Sequence, residues 1–265
     1  MYLELNTSYK INMFNNKLKS KLYNGETAIG TFMAYSSPEM VEILGICGLD
    51  FVVLDCEHGP YSVESTTNLV RAAELRGITP ITRVTCNNET KILRALDVGA
   101  HGIQVPQVNC KKDAQNVISS AKYHPIGKRG GAIPRAIEFG TVDVLKAYEN
   151  ANEQSLVVVH CETEECYDNL DEILSIPEID VVFLGPFDMS QSLNIPQQFD
   201  HPKMIEITNT LLEKTKKAGK IPGIYVGTTE QAKLRIKQGF QYITIGMFET
   251  VIANTFKTIV DEIKK

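Results

Sequence analysis

From about residue 28 onward, short runs of apolar, largely β-branched residues alternate with longer stretches whose apolar positions recur every three or four residues. The short runs predict strands at 28–33, 51–55, 78–84, 102–106, 156–161, 180–184, 221–225 and 242–246. The longer stretches predict helices at 38–47, 63–76, 88–98, 112–121, 163–175, 204–217, 229–238 and 250–263. Gly48, Gly77, Gly99, Gly219 and Gly239 stand where a helix hands over to the next strand, the place for a left-handed cap. Eight such repeats in 265 residues predict a single α/β domain, 1–265, folded as a closed (β/α)8 TIM barrel. An open doubly wound sheet is the alternative, but no Gly-x-Gly-x-x-Gly follows the first strand. Residues 1–12 read as a tail, and 13–22 as an amphipathic helix capping the barrel floor. The Gly- and Pro-bearing stretch 123–141 reads as a mobile loop over the barrel mouth.

Composition adds exclusions. With a net charge of −5, the chain offers no basic field for a nucleic acid or an anionic membrane. Lys214, Lys216, Lys217 and Lys220 read as the solvated face of a helix. No apolar run is long enough to span a bilayer and no secretory pattern opens the chain, so a cytoplasmic protein is expected. The six cysteines include no Cys-x-x-Cys pair and read as reduced thiols. Cys56 and Cys161 fall inside the candidate site, without a zinc-type or protease-type pattern around them.

The chemistry gathers at the predicted carboxyl ends of the strands, where barrels of this kind carry it. The run Phe51-Val52-Val53-Leu54 ends abruptly in Asp55-Cys56-Glu57-His58-Gly59-Pro60. Asp55 and His58 are close enough in sequence for a carboxylate to orient an imidazole acting as a general base. An acidic strand cap beside a surface histidine is the plainer alternative. Arg83 ends the third strand, where a guanidinium among apolar residues needs an anion. The fifth strand ends in His160-Cys161-Glu162 and the sixth leads into Gly185-Pro186-Phe187-Asp188. Glu162 and Asp188, on neighbouring strand ends, suit a hard divalent cation. No lysine closes a strand, which removes a Schiff-base route. The loops Val226-Gly227-Thr228-Thr229 and Met247-Phe248-Glu249-Thr250 lack a phosphate cradle, so an unphosphorylated substrate fits better. A cation, an arginine and an acid–base dyad together suit making an enolate from a 2-oxo acid.

These residues resemble the HpcH/HpaI aldolase/citrate lyase family, in particular its metal-dependent class II pyruvate aldolases acting on 4-hydroxy-2-oxoheptanedioate and 2-dehydro-3-deoxyglucarate. The resemblance runs through Asp55-x-Glu57-His58, Arg83, Leu96-Asp97-Val98-Gly99-Ala100, Lys128-Arg129-Gly130, Glu162, 169–174 and Gly185-Pro186-Phe187-Asp188-Met189-Ser190. It covers the chain from about Phe14 onward. It implies Mg2+, Mn2+ or Co2+ held by Glu162 and Asp188, and His58 with Asp55 as acid and base. It further implies Arg83 on the pyruvate oxygens, Glu57 among the substrate contacts, and backbone N–H groups of Phe187 and Asp188 on the pyruvate carboxylate. Asp97 would approach from a neighbouring subunit of a homo-oligomer, a trimer of dimers exchanging a C-terminal helix. The implied partners are small molecules, pyruvate and an aldehyde. Three positions depart from the family pattern: His160 replaces a usual Gln, Cys56 a small residue, and Phe187 a frequent Ala. His160 is expected to hydrogen-bond bound water rather than to ligate the cation. The rival readings are a lyase for CoA thioesters of the malyl or citryl type, and a catalytically idle barrel kept as a binding subunit.

Overall fold

A computed structural model describes residues 14–265. Eight strands, β1 (Ala28–Met33), β2 (Phe51–Asp55), β3 (Thr79–Arg83), β4 (Gly102–Val105), β5 (Leu156–Cys161), β6 (Val181–Leu184), β7 (Ile221–Val226) and β8 (Tyr242–Met247), form a closed barrel in chain order. All neighbours are parallel, and β8 closes onto β1. Helices stand between the strands, which makes the fold a (β/α)8 TIM barrel.

Two apolar layers hold it together. Alternate strand residues point inward, so Phe51, Val53, Ile81, Leu156, Val158 and Phe183 fill the barrel. Their neighbours Val52, Leu54, Ile103, Val157, Val159 and Val182 face the helices. Burial on both faces explains why the strands read as unbroken apolar runs. The helix Lys17–Tyr23 closes the floor: Leu18 and Leu22 plug the interior, and Tyr23 donates a 2.7 Å hydrogen bond to Asp180 just ahead of β6. Met13, the first residue of the helix expected there, and the 1–12 tail lie outside the described residues. Gly77 and Gly239 end their helices at φ 70° and 108°, the left-handed conformation a side chain resists.

Three expectations change. The stretch 123–141 lies under the barrel, not over its mouth. Arg135 Nη1 donates to the Val98 carbonyl at 3.2 Å and pairs with Glu74, both at the barrel floor. Topology requires this, because the stretch joins the end of the helix Lys111–Ala121 to the start of β5, and both lie at the floor. A helix at Val144–Gln154, capped by Asp143, follows it; its polar sequence buries only Asn152 and so shows no apolar stripe. The single helix expected at 163–175 is two, Glu164–Asp168 and Leu170–Leu174, parted at Asn169. No helix among the described residues is long and apolar enough to cross a membrane.

Candidate active site

The period of two that fills the barrel also selects what reaches its mouth. Counting upward along the inward positions, β2 ends in Asp55, β3 in Arg83, β4 in Gln104, and β5 in His160 followed by Glu162. Strand register sets Asp55 beside Arg83 and Arg83 beside Gln104. A cavity of about 390 Å³ opens above them. His58, Arg83, His160, Glu162, Phe187 and Asp188 are on its wall, and the volume suits a small metabolite.

Arg83 is gripped from one side. Its Nε and Nη2 donate to the two Asp55 oxygens at 2.8 and 2.6 Å, and Nη1 pairs with Glu57 at 3.1 Å. Two of the five guanidinium N–H donors are thus hydrogen-bonded to Asp55, and those beyond them and the Glu57 ion pair remain for a ligand. Burial pushes the Asp55 carboxyl up, but the paired Arg83 and the His58 N–H outweigh it and hold the group below the usual carboxylate range. Glu57 goes the other way, raised by burial and by the nearby Glu162 against the pull of Arg83.

Asp55 therefore does not orient the His58 ring, as the spacing led us to expect. Its Oδ1 accepts the backbone N–H groups of Glu57 and His58 at 3.1 and 3.2 Å, folding the corner after β2. Gly59 completes that corner, where a Cβ would meet the Asp55 carbonyl at 2.3 Å. Among the described residues, no side chain hydrogen-bonds the His58 ring, and the residue stands on the cavity wall.

Glu162 is 4% exposed and carries a donor on each oxygen. The Gln107 N–H reaches Oε1 at 2.7 Å, from a residue held at φ 53°. His160 Nδ1 reaches Oε2 at 2.5 Å. Burial would raise this carboxyl, but the hydrogen bonds from His160 and the Gln107 N–H lower it on balance, so it is an anion. Behind His160 runs a buried chain: the Tyr242 hydroxyl donates to Gln104 Oε1 at 2.9 Å, which turns the Gln104 amide nitrogen onto His160 Nε2 at 2.7 Å. An amide N–H can only donate, so Nε2 accepts and Nδ1 carries the hydrogen given to Glu162. With both ring nitrogens used, His160 holds Glu162 in place, and the contact with bound water expected from the sequence does not form.

Glu162 and Asp188 supply oxygen donors only, the set a hard divalent cation takes. No group of three His, Cys, Asp or Glu side chains converges among the described residues, so substrate and water oxygens would complete the coordination. Each Glu162 oxygen keeps a second lone pair for a cation after accepting its N–H. Gly185 makes room, since a Cβ there would lie 2.9 Å from Glu162 Oε2. The residues fit such an ion.

Other expected site residues sit elsewhere. Within its own chain Asp97 is far down the fold, at the end of the helix Glu89–Asp97, ion-paired with Arg129 at 2.7 Å. The Cys56 thiol turns toward Thr66 at 3.8 Å, and Cys161 is buried among helix-facing residues, so neither lines the cavity. Gln104 and Tyr242 escaped notice in the sequence. A lone amide in the strand Gly-Ile-Gln-Val was the available signal for the first; an aromatic in an apolar strand gave none for the second.

The sequence profile of the HpcH/HpaI aldolase/citrate lyase family matches residues 28–255. The 2-keto-3-deoxy-L-rhamnonate aldolase of Escherichia coli (strain K12) is 30% identical over 237 residues, 89% of this chain and 88% of its own length. Among solved structures, the HpcH/HpaI aldolase from Desulfitobacterium hafniense DCB-2 superposes with a TM-score of 0.90 at 26% identity, covering 96% of this chain and 97% of that one. The citrate synthase SbnG superposes with a TM-score of 0.85 at 30% identity, covering 93% and 97%. Profile, sequence relative and barrel agree, and the chain belongs to the HpcH/HpaI aldolase/citrate lyase family of carbon–carbon lyases.

Proposed function

We propose that the protein is a divalent-cation-dependent class II aldolase, reversibly cleaving a 4-hydroxy-2-oxo acid to pyruvate and an aldehyde. The observation that carries this reading is one cavity whose wall holds two carboxylates, a half-engaged guanidinium and an unpartnered imidazole. A cation bound by Glu162 and Asp188 would polarise the 2-oxo group and offset negative charge on it. His58 takes the proton of the C4 hydroxyl, directly or through water. The C3–C4 bond breaks, its electron pair passes into the pyruvate enolate, and the C4 oxygen becomes the aldehyde carbonyl. The remaining N–H donors of Arg83 meet the enolate oxygen. A proton returned to C3 completes pyruvate. The N–H groups of Phe187 and Asp188, at the start of the helix Pro186–Ser192, suit the pyruvate carboxylate, with Glu57 beside Arg83 as a further contact.

By the same proposal the enzyme is a cytoplasmic homo-oligomer in which Asp97 serves a neighbouring site. The helix Phe248–Ile263 supports this, because none of its residues is fully buried in its own chain and it exposes Phe256, Val251 and Ile263.

A second reading has one observation in its favour, the likeness to citrate synthase SbnG. There a 2-oxo acid would be the acceptor for a CoA thioester. Arg83 is the one lysine or arginine on the cavity wall among the described residues, a poor surface for a CoA pyrophosphate. The experiment is a panel of 4-hydroxy-2-oxo acids assayed for pyruvate with Mg2+, Mn2+ and Co2+, plus oxaloacetate with acetyl-CoA assayed for free CoA. Pyruvate release that stops on exhaustive chelation and returns with metal is expected, from a preparation whose scattering mass exceeds a monomer. Release unaffected by chelation removes the cation from the account, and CoA release alone selects the second reading.

A further inference from the structure

The cavity wall is divided by charge. From β2 round to β6 it presents His58, Arg83, His160, Glu162 and Asp188, with Phe183 among them. From β7 through β8 it presents Tyr225, Met247 and Thr250, and among the described residues no lysine, arginine or histidine. Phe187 leans over this second half, 5.5 Å from the Tyr225 ring and 5.0 Å from Phe199, both edge to face. Phe32, 6.3 Å from Tyr225 and 4.7 Å beneath the Arg83 guanidinium, marks the boundary between the halves.

A 4-hydroxy-2-oxo acid has two ends with opposite needs. The 2-oxo acid end carries the charge and the oxygens that develop charge, so it belongs against Arg83 and the two carboxylate-bearing strand ends. C4 then lies where the halves meet, its hydroxyl toward His58, and everything beyond it faces the aromatic half. A carboxylate at the far end would lose water against Phe187, Tyr225 and Met247 with no lysine or arginine among them to replace it, and would sit in the same cavity as Glu162 and Asp188. An alkyl or aryl group would instead cover those rings and lose nothing polar.

We infer that the acceptor aldehyde of this enzyme is uncharged and apolar, and that the wall formed by Phe187, Tyr225 and Met247 selects it. The inference rests on the aldolase reading and adds the substrate class. It makes Phe187 and Met247 specificity-determining residues.

The test compares two substrates of equal chain length, 4-hydroxy-2-oxoheptanoate, which yields butanal, and 4-hydroxy-2-oxoheptanedioate, which yields a carboxylate-ended aldehyde. Both are assayed for pyruvate with Mn2+ present. The methyl-ended substrate should be preferred in kcat/KM by roughly tenfold or more, the scale on which an apolar pocket discriminates. In Met247→Arg, a cation placed in the aromatic half should move the ratio toward the dicarboxylate by a similar factor, chiefly through KM. Equal or faster cleavage of the dicarboxylate by the wild-type enzyme overturns the inference and leaves the aldolase reading standing. A ratio unmoved in Met247→Arg overturns the assignment of that half to the aldehyde. Pyruvate from neither substrate overturns the aldolase reading, and this inference with it.

Discussion

Arg83 concentrates the physics of the site in one side chain. It is 8% exposed, stacked 4.7 Å above the Phe32 ring, and held by a two-point contact with the fully buried Asp55. Two charges in such a place are stable only as a pair. Holding the guanidinium still is what prepares its remaining N–H donors for a charge that develops during reaction. Arg83→Ala should lower kcat/KM by roughly a hundredfold or more, but it also strands the Asp55 charge and lowers stability. Arg83→Lys keeps the charge and loses the fork, so it should stay folded in thermal melts and still lose most turnover. Near-wild-type turnover in the lysine variant would show that the two-point geometry does not matter. The sequence made Arg83 visible, because a guanidinium among apolar strand residues demands a partner. It misled about Asp55, because spacing along the chain suggested His58 while register across β2 and β3 decided for Arg83. The carboxylates Glu162 and Asp188 were legible as residue types at strand ends; the His160–Gln104–Tyr242 chain behind Glu162 was not, since it joins β5, β4 and β8 across the barrel interior.

At the scale of elements, alternation along each strand was readable, and all eight strands lie within a residue or two of the expected bounds. What failed was the passage 123–155. Its glycines and prolines said loop, but only the direction of the chain says which end of the barrel a loop occupies. That floor hides a further group, Lys122, 2% exposed, with Nζ donating to the Asn152 and Ser155 carbonyls at 2.7 and 2.9 Å. Burial, helped by the nearby Lys19 against Asp180 and Glu178, pushes its pKa down to about 8 from an ordinary 10.5. The neutral amine keeps two N–H donors, enough for both carbonyls. Between these two pH values the unfolded chain holds a proton that the folded one has lost, so this group's contribution to stability rises with pH across that window. Denaturant midpoints followed from pH 7.5 to 10.5 should therefore climb more steeply, or fall less, in the wild type than in Lys122→Met. Parallel curves would mean that Lys122 stays protonated in the fold.

Over the whole molecule, the barrel separates tasks by position. The floor is sealed by the helix Lys17–Tyr23 and the 123–155 passage, the interior is apolar, and ionisable groups meet at the mouth. Charge occupies one half of that mouth and aromatic surface the other, an arrangement suited to a substrate that is an acid at one end. The proposed cation and Arg83 both act on the acid end, and they can be interrogated without knowing the aldehyde. The most direct measurement is exchange of the methyl protons of pyruvate in D2O, followed by proton NMR with Mn2+ or Mg2+ supplied. Enzyme-dependent loss of the methyl signal is predicted, abolished by chelation and in Glu162→Gln. Pyruvate that keeps its protons beside folded, metal-supplied enzyme would contradict the account, as would exchange that persists in Glu162→Gln after chelation.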